Sequence, residues 1–460
     1  MNTGTICAPA TAPGGALSII RVSGPEAFHV VSSLCNVCCD KVAANTIHYT
    51  HLKAPLPSEE QGDNIIDEVM VSVFRAPHSY TGEDTIEISC HGSRYIQNKI
   101  LELLIQNGCR MARPGEYTMR AFLNGKMDLS QAEAVADLIA STNKATHDIA
   151  LSQLRGHFSS DLAHLREQLL ELTSLLELEL DFSDHEDLEF ADRTQLLALA
   201  QEVESHISRL ANSFQIGQAI KQGIPVAIVG KTNVGKSTLL NRLLHEDRAI
   251  VSDIHGTTRD TIEDTIDING VSFRFIDTAG LRQTEDKIEL IGIDRTYQAI
   301  DRARIILWLI DKAPDTEEQK NMEVRCKGKK LIIVSNKSDK GIAIAESAFS
   351  IHYSSLICIS AKTGQGQEYL ESAIYTAADL PNLTANDVIV TNARHYEALQ
   401  NARTNISRVI TALTQQLPGD LIAEDLRQVL ADLADITGNG QIITSQETLN
   451  NIFKHHCVGK

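Results

Sequence analysis

Eight residues constrain this chain more than any others. Gly230-Lys-Thr-Asn-Val-Gly235-Lys236-Ser237 follows the apolar run Val226–Val229 and opens a helical run, Thr238–Leu244. A strand, a glycine-rich turn and a helix in that order form a phosphate cradle. The glycines let the backbone curl so that N–H groups point at phosphate oxygens. Lys236 is then placed to reach the β/γ oxygens and Ser237 to ligate magnesium. Asn233, Val234, Gly235 and Thr238 complete the loop's contact set. A chance glycine-rich turn would offer the glycines without the flanking strand and helix.

The partners of such a loop appear downstream in the order needed. Asp277-Thr278-Ala279-Gly280 ends a strand, Phe273–Ile276, which pairs across an Asn269-Gly270 hairpin turn. Asp277 is placed to hold magnesium through water, and the Gly280 N–H to sense a γ-phosphate. Asn336-Lys337-Ser338-Asp339 ends the strand Leu331–Val334. A carboxylate at Asp339 accepts both N1–H and N2–H of guanine, whereas adenine offers no such donor pair. Ser360-Ala361-Lys362 follows another strand and offers a backbone N–H to guanine O6. Each short motif alone is weak; their ordered combination specifies GTP over ATP.

Organisation follows from pattern. Residues 16–22, 67–74 and 85–90 read as strands, and Ile96, Ile100, Leu103 and Leu104 mark a helix over 94–107, giving an α+β unit. From about 129 to 220 glycine is rare, and Leu162, Leu165, Leu169, Leu172 and Leu176 recur at helical spacing. A helix break is expected at Ser183–Asp184. Residues 224–380 alternate strand and helix, the mark of a parallel sheet, and 384–454 are helical again. The predicted fold is multidomain α+β and α/β. It has an N-terminal α+β domain (1–119), a helical-bundle domain in two parts (120–222 and 381–460) and, inserted between them, a P-loop domain with a mainly parallel sheet (223–380).

The formal net charge is −18 over 460 residues. Residues 126–222 carry 7 basic and 17 acidic side chains, more than half of the surplus. The total argues against a protein that coats nucleic acid non-specifically, yet permits a specific RNA substrate whose contacts avoid the acidic stretch 177–192. No secretory leader is visible, no window approaches a membrane span, and the nine cysteines are scattered. A reduced, cytoplasmic setting is expected. Cys35, Cys38 and Cys39 form a C-x-x-C-C cluster, for which His48 and His51 are poor zinc partners; small apolar-like cysteines within a helix are the preferred reading.

The nucleotide motifs resemble the translation-factor-like class of GTPases. The segment Ser252, Asp253, Ile254, His255, Gly256, Thr257, Thr258 resembles that class's first switch, with Thr258 as the magnesium-linked threonine. Leu281 stands where many GTPases carry a water-positioning glutamine, so another group must orient the water. Asn233 resembles the asparagine that helps bind potassium in cation-activated GTPases; Ser252, Ile254 and Thr257 complete that ligand set by the same resemblance.

Outside this region, Ile19-Ile-Arg-Val-Ser-Gly24, Ser79-Tyr-Thr-Gly-Glu-Asp84, Cys90-His-Gly92, Ala112-Arg-Pro-Gly-Glu-Tyr-Thr118, Ala121-Phe-Leu-Asn-Gly-Lys-Met-Asp-Leu129 and the terminal Cys457-Val-Gly-Lys460 together resemble the MnmE (TrmE) family of tRNA-modifying GTPases over essentially the whole chain. The resemblance implies a homodimer whose N-terminal domain binds 5-formyltetrahydrofolate or a related tetrahydrofolate. It implies a GTPase activated by potassium and magnesium. It implies an FAD-dependent partner, MnmG (GidA), in a heterotetramer that modifies C5 of the tRNA wobble uridine with an aminomethyl-type group. Arg21, Glu87, Lys126 and Lys460 match the family's folate contacts, Glu289 its water-orienting glutamate, and Cys457 a cysteine near the folate pocket. From the residues alone, Arg21 and Lys126 also read as surface charges, Lys460 as a terminus and Glu289 as a solvated helix position.

The chain departs from the pattern at Ala10-Thr-Ala-Pro-Gly-Gly15, which lacks the family's usual arginine, at Ser93 and at His455-His456. The nucleotide motifs by themselves leave open a second class, a regulatory GTP-binding module in ribosome assembly.

Overall fold

The computed structural model describes residues 4–12, 14–54, 64–181, 193–247, 264–276, 297–341, 344–380 and 387–438. The chain divides into two compact units. One comprises 1–140, 153–207 and 397–460; the other comprises 141–152 and 208–396.

The first unit begins with a six-stranded sheet built from β1 (Ile6–Pro9), β2 (Leu17–Ser23), β3 (Thr46–Lys53), β4 (Ile65–Phe74), β5 (Thr85–His91) and β6 (Arg110–Met111). The spatial order is β3-β4-β5-β2-β1-β6, antiparallel except for the β1–β6 pair. Strand periodicity of two sorts the side chains. Ile20, Val22, Val69, Val71, Val73, Ile86 and Ile88 are buried in one core with Phe28 and Val31 of α1 (Ala27–Leu34) and Ile100, Leu103 and Leu104 of α2 (Arg94–Gln106). Each such aliphatic contributes about 1.5–3 kcal/mol by leaving water. The alternate residues, Arg21 and Glu87 among them, share the other face.

The helix α1 stops at Leu34, one residue before the cysteine cluster. Cys35 is a bridge residue opposite Leu52, and Cys38 and Cys39 lie in the turn beyond. The expected placement of these cysteines within a helix is therefore corrected: the backbone turns extended at Cys35 (φ −142, ψ 171), which ends the helix before them.

Next come α3 (Glu116–Leu123), α4 (Leu129–Ala140), α5 (Lys144–Leu154), α6 (His157–Asp181) and α7 (Arg193–Gln222). The start of α5 lies in the second unit, where Asn143 caps it: Thr146 N donates to Asn143 Oδ1 at 2.9 Å. The predicted break at Ser183–Asp184 lies outside the described residues.

The second unit's sheet contains β7 (Ile224–Val229), β8 (Asp264–Ile268), β9 (Val271–Phe275), β10 (Ile305–Ile310), β11 (Lys330–Ser335) and β12 (Ser355–Cys358), in the order β12-β11-β10-β7-β9-β8. All pairs are parallel except the β8–β9 hairpin. Its Asn269-Gly270 turn has φ of 53° and 80°, the left-handed pair that Asn-Gly favours. Central β10 is buried along its whole length, as a parallel strand covered on both faces should be. One face packs on α8 (Lys236–Asp247) and on α10 (Gln367–Ala377), through Leu240, Leu243, Leu370 and Ile374. On the other, Trp308 and Ile310 meet Ile300 and Met322, the latter from α9 (Thr316–Arg325).

The helices α11 (Ala393–Thr414) and α12 (Gly419–Thr437) complete the chain's described elements. In the first unit α12 packs on α6 and α4. Polar bonds fix the neighbours: Gln168 to Glu202 at 3.1 Å between α6 and α7, and Asn405 to Asp432 at 2.6 Å between α11 and α12. Leu162, Leu165, Leu169, Leu172 and Leu176, the predicted helical stripe, are all buried. A helical layer thus takes segments from both sides of the α/β stretch.

Candidate functional site: the nucleotide loop and the Arg21–Glu87 face

The phosphate loop between β7 and α8 turns on three positive-φ residues: Gly230 (151°), Asn233 (62°) and Gly235 (100°). A Cβ on Gly230 would stand 2.3 Å from the Leu309 carbonyl oxygen, and one on Gly235 would stand 2.5 Å from Asn336 Nδ2. Conformation and close approach therefore both require glycine there. Asparagine tolerates the left-handed region at 233 better than other side chains.

Lys236 opens α8 and folds back over the loop. Its Nζ donates to the carbonyls of Gly230 and Lys231, both at 2.7 Å. Burial lowers its pKa, so an anionic ligand would find an ammonium short of counter-charge. Ser237 and Thr238 are exposed on the first turn of α8. Val234 is 3% exposed and lies in the sheet's core, so the loop offers its backbone rather than its side chain.

The residues expected to select the base are locked to that loop. Asn336, buried, donates through Nδ2 to the Val234 carbonyl at 2.7 Å and accepts at Oδ1 from Ala361 N at 2.9 Å. One side chain thus ties the phosphate loop to the 360 loop. Lys337 has a left-handed backbone (φ 69°); its Nζ donates to the Asn233 carbonyl at 3.1 Å and pairs with Asp311 at 2.6 Å. The hydrogen bond and charge of Lys337 hold the Asp311 carboxyl below the usual range. Asp339 is exposed, and its Oδ1 accepts from Ser360 Oγ at 2.8 Å, which orients the carboxylate. Ser360 N donates to Gln365 O at 2.9 Å, and Ala361 N is taken by Asn336. Among the described bonds this leaves Lys362 as the member of the triplet whose N–H can meet a base oxygen.

Asn233, Val234, Gly235, Lys236, Ser237, Thr238, Asn336, Lys337, Asp339, Ser360, Ala361 and Lys362 therefore gather on one edge of the sheet, at the carboxyl ends of β7, β11 and β12. Ser252, Asp253, Ile254, His255, Gly256, Thr257, Thr258, Asp277, Thr278, Ala279, Gly280, Glu289, Cys457 and Lys460 lie outside the described residues.

In the first unit, Arg21 on β2 stands directly opposite Glu87 on β5. Arg21 Nε and Nη2 both donate to Glu87 Oε1, at 2.9 and 2.6 Å. The guanidinium lies 5.4 Å from the Tyr80 ring centroid and 5.6 Å from that of Tyr117. Burial raises the pKa of both tyrosines, which stay neutral. Two residues expected to contact a ligand are thus one ion pair on a tyrosine-lined face; sequence separation gave no sign of it. Lys126 is exposed and donates to the Pro77 carbonyl at 2.9 Å.

The motif acids Glu83 and Glu116 prove structural. Arg120 bonds Glu83 at 2.9 and 3.0 Å and Glu116 at 3.2 Å, and Arg110 pairs with Glu116 as well. Burial pushes Glu116 up, but hydrogen bonds from Arg110 and the Arg113 N–H, with both guanidinium charges, hold it below the carboxylate range. Asp67, unnoticed in the sequence, accepts from His91 N at 2.8 Å and Nδ1 at 2.7 Å.

Known proteins share this whole arrangement of segments. The model of the MnmE helical domain matches residues 129–457, and that of the GTP-binding protein TrmE N-terminus matches 5–126. The tRNA modification GTPase MnmE of Phocaeicola vulgatus is 52% identical, covering 100% of this chain and 99% of its own length. Those of Bacteroides thetaiotaomicron and Bacteroides fragilis are 53% and 54% identical, each covering 100% of both chains. The chain belongs to the MnmE family of tRNA modification GTPases. Among solved structures, the G domain of the T. maritima FeoB iron transporter is similar at 22% identity over 34% of this chain and 98% of that one, with a TM-score of 0.25. As a member of that family the chain is a GTPase with GTP as its substrate, and no described helix is long and apolar enough to cross a membrane.

Proposed function

We propose that this chain is a potassium-activated GTPase that works as a cytoplasmic homodimer with the FAD-dependent partner MnmG (GidA). The heterotetramer adds a carboxymethylaminomethyl-type group to C5 of the wobble uridine of certain tRNAs, taking one carbon from 5-formyltetrahydrofolate or a related tetrahydrofolate. The observation that supports this best is the presence, in one MnmE-family chain, of both an Asn336-locked nucleotide loop and the Arg21–Glu87 pair between two neutral tyrosines. The functional modules are taken as 1–119 for folate and dimerisation, 120–222 and 381–460 for the helical domain, and 223–380 for the GTPase.

Ser237 and Thr258 would hold magnesium, with Asp277 reaching it through water. Asn233, Ser252, Ile254 and Thr257 would hold potassium; the exposed Asn233 side chain on a loop pinned by Lys337 suits such a ligand. Bound there, the two ions neutralise phosphate charge. Lys236 exchanges its two carbonyl partners for phosphate oxygens, and Glu289 orients the attacking water in place of the glutamine that Leu281 replaces. Glu87 accepts pterin N–H donors, while Arg21, Lys126 and Lys460 supply cationic donors suited to glutamyl carboxylates. Cys457 would sit near that pocket.

Turnover of GTP in potassium and sodium buffers at equal ionic strength tests the cation assignment. Potassium should be faster by at least about tenfold, and Asn233→Ala should erase most of that ratio. Equal rates in both salts would remove Asn233 from the account.

A further inference from the structure

The turn after α1 carries chemistry that the tRNA-modifying reaction does not use. Cys35 and Cys39 share an acceptor, the Val37 carbonyl oxygen, each Sγ at 3.8 Å from it, and the Cys35 thiol also donates to the Val31 carbonyl at 3.3 Å. Cys35 is half-buried, Cys39 is fully buried, and Cys38 between them is exposed.

The backbone holds this pair in place from both sides. Cys39 N donates to Ser32 Oγ at 2.9 Å, which ties the turn to α1. Arg75 Nη2 donates to the carbonyls of Cys39, Asp40 and Val42 at 3.0, 2.9 and 2.8 Å, and its guanidinium stacks 4.9 Å from the Phe28 ring centroid. The two thiols therefore flank one carbonyl on a clamped turn, with little ordering left to be lost when they react.

We propose that Cys35 and Cys39 form a redox-active dithiol, a two-electron modification site for hydroperoxides in the N-terminal unit, with Cys35 the attacking thiolate and Cys39 the resolving one. Cys35 S⁻ attacks the terminal peroxide oxygen, the O–O bond breaks, and the leaving oxygen takes a proton to depart as water or an alcohol. Cys35 becomes a sulfenic acid. Cys39 gives up its proton, its sulfur attacks the Cys35 sulfur, and the sulfenic oxygen leaves as water. Two thiols are oxidised to one disulfide, and one peroxide is reduced.

The division of roles follows from the surroundings. Cys35 is half-buried and within reach of a peroxide, whereas Cys39 is fully buried and suited only to resolve; their mutual interaction lowers the Cys35 pKa and raises that of Cys39. Cys7 and Cys109 are a second adjacent pair, but both are fully buried, which shields them from solvent oxidants. The site is independent of the cation and folate assignments.

The test uses the full-length protein treated with hydrogen peroxide, then alkylated and digested, with mass spectrometry of the peptide spanning residues 22–41. A Cys35–Cys39 disulfide, 2 Da lighter, should form in the wild type and in Cys38→Ser alike. Cys39→Ser should instead stop at a Cys35 sulfenic acid trapped by dimedone. In Cys38→Ser, dimedone added together with the peroxide should label Cys35 and leave the buried Cys39 unlabelled. Disulfide formation that requires Cys38, dimedone label on Cys39 instead of Cys35, or no Cys35–Cys39 disulfide in Cys38→Ser with unchanged circular dichroism, would overturn the proposal.

Discussion

Lys236→Ala is expected to lower GTP turnover by about two to three orders of magnitude, the scale of removing one preorganised charge donor from a developing anion. The Lys236 ammonium spans the Gly230 and Lys231 carbonyls, 2.7 Å from each. Those carbonyls can take water instead, so the fold should survive the change. The loop's shape is set by Gly230, Gly235 and the Asn336 bridge, none of which the substitution touches. Thermal unfolding should therefore stay within a few degrees of the wild type while steady-state phosphate release collapses. A variant that unfolds early, or that hydrolyses GTP at the normal rate, would show that Lys236 serves the loop's structure or nothing.

Asp339→Asn should change the base rather than the chemistry. A carboxylate at this position can accept two guanine N–H donors, whereas an amide would present a donor of its own against them. A buried donor–acceptor mismatch of this type costs a factor of about 10⁴ or more in well-formed sites. Asp339 is exposed here, so a loss of GTP affinity of about a hundredfold or more is the expectation, discounted for water's access. Asn at 339 keeps an oxygen to accept from Ser360 Oγ, now at 2.8 Å, so its placement should persist. Xanthosine triphosphate, which offers a carbonyl where guanine has an amino group, should regain the lost affinity. Equal loss for both nucleotides would mean that Asp339 acts through the 360 loop instead of on the base.

The pieces of this fold that the sequence made legible are those with local signatures. The Val226–Val229 run of β7, the Asn269-Gly270 turn and the leucine stripe of α6 each carry their structure in neighbouring residues. The strands β1 and β3 were not legible. Ile6–Pro9 is four residues long and is held by pairing with β2 and with β6, about a hundred residues away. Thr46–Lys53 is an edge strand whose Ile47 and Tyr49 are exposed, so its apolar pattern does not point at a core.

The site divides the same way. Motif spacing placed Lys236, Asp339 and Ser360, because a loop between a strand and a helix fixes where they emerge. It did not reveal that Asn336 is the cross-link between two loops, or that Arg21 and Glu87 share a register position; both depend on distant pairing. The end of α1 before Cys35 was also hidden, since nothing as local as a proline or glycine marks it.

Whether this nucleotide loop serves wobble-uridine modification is decided by mass spectrometry of tRNA nucleosides from cells lacking the gene, complemented with the wild-type chain or with Lys236→Ala. C5-aminomethyl-type wobble uridines should vanish on deletion, return with the wild type and stay absent with the variant. Unchanged wobble uridines in the deletion strain would contradict that role and leave a regulatory GTP-binding module, such as one acting in ribosome assembly, as the reading to pursue.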